Sequence, residues 1–285
     1  MEGCSANLRS RSSSYSSSFH SWLQSQGKTH NTIREIIIFS KRFGYIPDIG
    51  DASPLMQLSH TNKRHACTAL ANLAKFQGKY DEWSRIRRAY DLKWSSGCNA
   101  SIQSMQRFFN PSLTLESMLQ TIRQMVYNLP TSMGQIVKFA LLTGLRPAEA
   151  VESVMLINSN AFDNYYDSQQ MTLCHYKFSQ FLRTTKKCYI SFVTPEMLSG
   201  IRYIEKVPSY NAIRLTCKRR GFKMDMRLCR KVFGSWLHKY GISTEIVDFL
   251  QGRVSTSVFS RHYLTPDSSL KDRVLTALHE LEKSL

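Results

Sequence analysis

The chain has 285 residues, of which 42% are hydrophobic, so it can form one large or two ordinary domains with a real core and is not a disordered protein. Its 38 Lys and Arg against 21 Asp and Glu give a net charge of +17, and residues 1–110 carry 15 basic and 7 acidic side chains while residues 111–285 carry 23 and 14. Two cationic halves favour a polyanion that both halves touch, with nucleic acid the first candidate and a ribosome or an anionic membrane the others.

The cysteines and the N-terminal residues help to exclude several classes of protein. Seven cysteines without paired spacing argue against a disulfide framework, and no CxxC or HxxxH pattern indicates a structural metal. A run of about 18 apolar residues, which a membrane-spanning helix needs, does not occur. Residues 1–18 are rich in Ser and Arg, as in a transit peptide, but lack the apolar segment of a secretory signal. We expect them to form a flexible leader.

Apolar residues recur at helical spacing over residues 19–43, with a break at Gly27. The pattern predicts one helix before the break and another over residues 32–38. Asn31 is a candidate N-cap for the second helix, because its side chain can accept a hydrogen bond from the first free backbone N–H groups.

Three more short helices are predicted between residues 51 and 94, and with the preceding helices they form a predicted DNA-binding domain over residues 19–95. The turn cues are Pro54, residues 59–61 and Gly78. Basic residues on such helices are ordinarily solvated, but their number on so small a unit favours a surface that contacts phosphates. The candidate DNA contacts are Lys41, Arg42, Lys63, Arg64, Arg87 and Arg88.

Small polar residues predict a linker over residues 96–112, followed by a second domain over residues 113–267. A helix is expected to begin at Thr114. A further turn is expected at Gly144, before a helix that Pro147 opens.

Residues 171–193 are the clear strand candidate, because aromatic and β-branched residues flank a basic polar break. They predict a hairpin whose tip holds Arg183, Lys186 and Lys187. Helices follow to the end of the chain. The predicted fold is therefore mostly α with a small β-sheet or hairpin, in two domains.

The C-terminal residues 268–285 predict one more helix, with Asp267 or Ser268 as N-cap. A narrow apolar stripe runs along it, and this stripe either packs on its own domain or docks on a neighbouring protomer. The stripe consists of Val274, Leu278, Leu281 and Leu285.

Three basic segments of the second domain contain candidate catalytic residues: LLTGLRPAEA, MRLCRKVFGSWLHKYGI and QGRVSTSVFSRHYLTP. Taken singly, each has an ordinary structural explanation. Arg146 can cap the C-terminus of a helix, the basic residues at 227, 230 and 231 can form a solvated stripe, and Tyr263 can pack in a core. Their order and spacing together favour a joint role.

These segments resemble the boxes of the tyrosine site-specific recombinases, or phage integrases, and most resemble the archaeal virus and plasmid integrases over residues 114–266. TGLRPAE is similar to the first box, with its Arg and the acid three residues later. RLCRKVFGSWL is similar to the HxxRHxxxxxL box, and LQGR to the LGH segment, although other cations replace the three usual histidines. The implied catalytic residues are Arg146, Lys186, Arg227, Arg230, Arg253 and the nucleophile Tyr263.

Several residues beside these have a supporting or an alternative role under the same resemblance. Glu149 would orient a neighbour, and Lys231 and Lys187 would support the site. Lys187 and Lys177 are alternatives to Lys186 as the acid. The neighbours of the tyrosine, Arg261 and His262, would be positional.

The chemistry of these side chains agrees with that reading. Arginines grip the non-bridging oxygens of a phosphodiester bidentately, and neighbouring cations favour the phenolate of a Tyr whose free pKa is about 10. A Lys on a hairpin can protonate the leaving 5′-oxygen. A covalent bond to Tyr conserves the energy of the broken bond, so no metal, ATP or other cofactor is expected.

The resemblance implies a cytoplasmic recombinase on host DNA that integrates or excises DNA through a 3′-phosphotyrosyl intermediate. It would be a monomer when free and a homotetramer on double-stranded DNA, without a membrane partner. The alternatives are a type IB topoisomerase-like enzyme and a non-catalytic basic DNA-binding protein. A metal-dependent nuclease is disfavoured because the sequence shows no cluster of carboxylates.

Overall fold

The computed structural model describes residues 17–92, 114–183, 186–222, 225–253 and 269–285. They belong to two compact units, Met1–Asn110 and Pro111–Leu285, each with its own hydrophobic core. The described chain is mostly α-helical with one small antiparallel sheet, which confirms the predicted fold class. No described helix is both long and apolar enough to cross a membrane.

The N-terminal unit is built from short helices, as its sequence predicts. The first two are separated at Gly27, whose φ of +67° is left-handed. The second begins at His30 after Thr29, so the prediction of Asn31 as its N-cap is wrong: Asn31 lies inside the helix. The helices are α1 (residues 17–25), α2 (His30–Phe43), α3 (Ile46–Ile49), α4 (Ser53–Met56), α5 (His60–Phe76) and α6 (Tyr80–Ala89).

The core of the N-terminal unit lies between α2 and α5, which pack against each other. Phe39 of α2 stacks on His65 of α5, with ring centroids 5.8 Å apart. Ser59 caps α5 by accepting a hydrogen bond from the backbone N–H of Asn62. The predicted turn at Gly78 is present, with a φ of +71°.

The C-terminal unit carries the remaining helices. Thr114 caps the first of them through the N–H of Ser117, and Pro147 stands in the first turn of another, as predicted. Its helices are α7 (Leu115–Asn128), α8 (Thr131–Thr143), α9 (Pro147–Ile157), α10 (Phe162–Tyr165), α11 (Pro195–Ser199), α12 (Tyr210–Arg219), α13 (Arg227–Lys239), α14 (Thr244–Leu250) and α15 (Leu270–Lys283).

The predicted hairpin is present, but its strands are much shorter than the sequence suggests. The sheet has the order β1 (Tyr166–Asp167), β2 (Thr172–Leu173) and β3 (Ser191–Phe192), all antiparallel. Two 3₁₀ turns, His175–Lys177 and Ser179–Phe181, replace the rest of the expected strands. These turns fold the buried His175 and Phe181 rings to a centroid distance of 4.7 Å, which one extended strand would not allow, because six residues span about 20 Å along it.

The C-terminal helix α15 packs on its own unit. Val274, Leu278 and Leu281 are fully buried, and Leu285 is half-buried against the same core. Trp236 donates its indole N–H to the Ala277 carbonyl at 2.8 Å. The apolar stripe therefore packs on its own domain, which is the first of the two arrangements considered for it. The helix begins at Leu270 with Ser269 at the N-cap position, so the prediction of Asp267 or Ser268 as N-cap is wrong, and both residues lie outside the described ones.

Candidate active site

Arg146 and Glu149 form the centre of the site, where the chain enters α9. Arg146 is at the N-cap position, and its backbone N–H and its Nη1 donate to the two oxygens of Glu149 at 3.1 and 2.8 Å. Glu149 is completely buried, so these donors replace the water that its carboxylate has lost. Arg146 thus lies at a helix N-terminus and does not cap a helix C-terminus.

Arg230 of α13 is tied to this turn from the other side. Its Nη1 donates to the carbonyl of Gly144 at 2.9 Å, and its Nη2 donates to the carbonyl of Gln251. Gly144 has a φ of +65°, and a Cβ there would lie 2.3 Å from the Phe233 ring. Glycine is therefore required at position 144 for two reasons: the backbone is left-handed, and the Phe233 ring fills the space that a Cβ would need.

The turn that carries Arg253 contacts the hairpin directly. Gly252 has a φ of +67°, and a Cβ on it would lie 1.7 Å from the carbonyl oxygen of Lys187. The same carbonyl accepts a hydrogen bond from Arg146 Nη1 at 3.2 Å. Segments separated by more than a hundred residues in the sequence therefore meet at the backbone of Lys187.

The guanidinium groups of the site repel one another, although Glu149 offsets part of their charge. Burial, together with the neighbouring guanidinium groups of Arg146 and Arg253, lowers the pKa of Arg230 to about 10. The Cys188 thiol beside them has a pKa of about 12, raised by burial and by the Glu149 carboxylate. An anion bound here would relieve the repulsion among the arginines, which is the property that a phosphate site needs.

An open cleft of about 510 Å³ lies beside the arginine cluster, between α13 and α14. Arg227 and Lys231 line it together with Arg230 and Arg253, so these four of the predicted site cations share one surface. Arg227 is largely exposed and donates to Asp225 at 2.9 Å. Arg253 is exposed as well and pairs with Asp248 at 3.1 Å.

The hairpin brings the backbone of Lys187 to the same place. Lys186 and Lys187 are both exposed, and Lys187 pairs with Leu182 across the hairpin. Arg183, which precedes them, donates to Glu149 Oε1 at 2.7 Å. Lys177, the other candidate acid, instead donates to the Asn164 carbonyl at 3.0 Å.

A buried chain of hydrogen bonds fixes the base of the hairpin to α9 and α10. Ser153 Oγ bonds Tyr165 Oη at 2.7 Å, Tyr165 Oη bonds His175 Nδ1 at 2.6 Å, and His175 Nε2 bonds Ser191 Oγ at 2.9 Å. Burial lowers the pKa of His175 to about 3, so the ring is neutral at physiological pH. The sequence analysis did not identify this network.

Gln251 is a second residue that the sequence analysis missed, although it belongs to the quoted QGR segment. It is buried and donates its Nε2 to the carbonyl of Arg230 at 2.8 Å. A polar residue directly before a required glycine was the available signal.

Tyr263 and its neighbours Arg261 and His262 lie outside the described residues. In the N-terminal unit, four of the six candidate DNA contacts are exposed and two, Lys63 and Arg87, are half-buried. Within the described part of the chain, no group of three His, Cys, Asp or Glu side chains is placed to hold a metal ion.

Comparison with known proteins agrees with the geometry of the site. Residues 112–272 match the model of a family described as archaeal phage integrase. This segment includes every basic position discussed above for the C-terminal unit. No curated protein shows a significant match to the chain.

Proposed function

The chain belongs to the archaeal phage integrase family, and from this we propose that it is a DNA strand transferase that uses Tyr263 as its nucleophile. Family membership indicates a role in integrase-type DNA recombination. The residue roles and the chemical steps below go further and are our proposal.

One observation carries the proposal: Arg146 and the turn before Arg253 converge on the hairpin, and Arg230 binds the carbonyls of Gly144 and Gln251 beside them. Guanidinium groups held by backbone carbonyls are oriented before the substrate arrives, so no reorganisation is needed when charge develops. Arg146 and Arg230 would bind the non-bridging oxygens of the scissile phosphate. Each such donor is worth roughly 3–4 kcal/mol in the transition state.

The proposed reaction conserves the phosphodiester bond energy. The Tyr263 oxygen attacks phosphorus, the bond from phosphorus to the 5′-oxygen breaks, and a lysine of the hairpin protonates that oxygen. The 3′-phosphate is then held on the tyrosine until the 5′-hydroxyl of a partner strand attacks it. Neither a metal nor ATP takes part in this scheme.

Double-stranded DNA is the proposed partner, and recombination of two duplexes would assemble four protomers. The basic residues of the N-terminal unit would contribute phosphate contacts, chiefly through the exposed Lys41, Arg42, Arg64 and Arg88. Such contacts supply affinity that falls with salt concentration and is largely independent of sequence.

A suicide substrate, in which a nick lets the cut end diffuse away, tests the proposal. The wild type should accumulate a covalent protein–DNA adduct, and Tyr263→Phe should bind the same DNA without forming one. An adduct that persists in this variant, or that maps to another tyrosine, would overturn the assignment.

The alternatives give different results. A non-catalytic DNA-binding protein gives no adduct with the wild type, and strong inhibition by a chelator would indicate a metal-dependent nuclease. A topoisomerase relaxes supercoiled plasmid as a monomer but joins no two duplexes.

A further inference from the structure

Arg183 reaches from the hairpin into the centre of the site. Its Nη2 donates to Glu149 Oε1 at 2.7 Å, and the same oxygen accepts from Arg146 Nη1 at 2.8 Å. One buried carboxylate oxygen therefore joins a hairpin residue to the arginine that would bind the phosphate. The family boxes assign no role to Arg183.

The segment is held at its other end as well. The carbonyl of Lys187 accepts from Arg146, and the N–H of Cys188 donates to the carbonyl of Phe181 at 2.9 Å. Arg183 and Lys187 are thus both attached to the pair formed by Arg146 and Glu149. The side chains of Lys186 and Lys187 project from a segment whose two ends are fixed to the phosphate-binding centre.

A second carboxylate strengthens the attachment of Arg183. Glu152, one turn beyond Glu149 on α9, has a buried Oε2 without a hydrogen-bond partner among the described residues. Burial raises the pKa of Glu152, and the charge of Arg183 opposes that rise. Glu149 therefore holds the Arg183 side chain, which is 45% exposed, and the Glu152 carboxylate attracts it electrostatically without a hydrogen bond from it.

We infer that Arg183 is a positioning residue that sets the hairpin lysine at the leaving oxygen of the phosphate, acting through Glu149. The inference rests on the proposed function. The hairpin is anchored to the same carboxylate that orients Arg146. This anchor keeps the proton-donating lysine at a fixed distance from the phosphate. A displacement of the donor lowers proton transfer steeply, because that step requires hydrogen-bond distance.

The first test compares cleavage of ordinary DNA with cleavage of DNA whose 5′-bridging oxygen is sulfur, a leaving group that needs little protonation. Arg183→Ala should slow adduct formation on ordinary DNA by roughly tenfold or more, and Arg183→Lys should slow it less. On the sulfur substrate, Arg183→Ala should react within about threefold of the wild type. Equal slowing on both substrates, or no slowing on either, overturns the inference.

The second test establishes whether the effect passes through Glu149. In a Glu149→Gln background, Arg183→Ala should cause little additional loss, since the bond that it removes is already weakened. An undiminished, multiplicative loss in the double variant would show that Arg183 acts elsewhere.

The third test needs no DNA, so its failure is distinct from a failure of the proposed function. Hydrogen exchange at the amide of Cys188, which donates to the Phe181 carbonyl, should be faster in Arg183→Ala than in the wild type, with an unchanged melting curve. Arg202→Ala is the matched control, because it removes one exposed arginine that stacks on Phe162 instead. Unchanged exchange, or equal acceleration in both variants, contradicts the positioning role.

Discussion

Arg230 and Gln251 hold each other by two hydrogen bonds of opposite direction: Arg230 Nη2 donates to the Gln251 carbonyl, and Gln251 Nε2 donates to the Arg230 carbonyl. Gln251 is buried, and its backbone continues into the turn that touches the hairpin. A residue without an ionisable group thus connects two of the proposed phosphate-binding segments.

We expect Gln251→Met to lower the free energy of unfolding by about 0.5–1.5 kcal/mol, because the partly buried hydrogen bond from its side chain to the Arg230 carbonyl is lost. Cleavage should also slow, since the orientation of Arg230 is less well fixed. Urea denaturation and the rate of adduct formation measure the two effects. Gln170→Met, the same change at an exposed position, is the control, and an equal effect in both variants would refute the prediction.

Gly252→Ala should be much more damaging than Gly241→Ala. Both glycines are left-handed, at +67° and +73°, so each alanine costs about 1–2 kcal/mol of backbone strain. Only at Gly252 does the new Cβ collide with the Lys187 carbonyl, and we expect a further cost of about 1–3 kcal/mol from that contact. Denaturation of both variants checks the difference, and equal losses would show that the close approach does not exist.

Lys186→Ala should slow cleavage of ordinary DNA by roughly 100-fold and recover on the substrate with a 5′-bridging sulfur. The Lys187→Ala effect should be smaller, because the contacts of Lys187 with Arg146 and Gly252 go through its backbone. Single-turnover kinetics of both variants decide the assignment. Recovery in the Lys187 variant alone moves the role to that residue, and recovery in a Lys177 variant alone moves it to Lys177.

Leu278→Ala should destabilise the free protein by about 2–5 kcal/mol, because its fully buried side chain packs in the core of its own unit. Leu275→Ala in the same helix should cost less, since Leu275 is only half-buried. Deletion of residues 269–285 should likewise lower the melting temperature of the free protein. If the truncated protein melts as the wild type does, the helix is free to dock on a neighbouring protomer.

The stability of the protein should fall as the pH is lowered from about 6.5 toward 3, with a contribution from His175. Its folded pKa of about 3 lies below the ordinary histidine value of about 6.5, so in this range the unfolded chain binds a proton that the folded chain does not. The loss is at most about 1.4 kcal/mol per pH unit. Denaturation at pH 7, 6 and 5 should show a shallower pH dependence for His175→Gln than for the wild type, and identical slopes would contradict the assignment.

The fold class, the hairpin, the order of the basic segments and several local boundaries could be predicted from the amino-acid sequence. Thr114 caps a helix, Gly144 forms a left-handed turn and Pro147 begins a helix, as predicted. Each of these roles depends only on neighbours within a few residues. The arginines of the boxes were recognisable for the same reason, since their spacing is a property of one continuous segment.

The partners that hold those arginines could not be predicted from the sequence and follow from the three-dimensional fold. Arg183 binds Glu149, and Gly252 contacts Lys187, although the members of each pair are far apart in the sequence. His175 is buried by a turn that the sequence did not predict. The three-dimensional fold also decided that the apolar stripe of the last helix packs in its own core. Burial and hydrogen bonding between distant segments depend on the non-local contacts that the folded chain makes, and the spacing of residues within one segment does not specify those contacts.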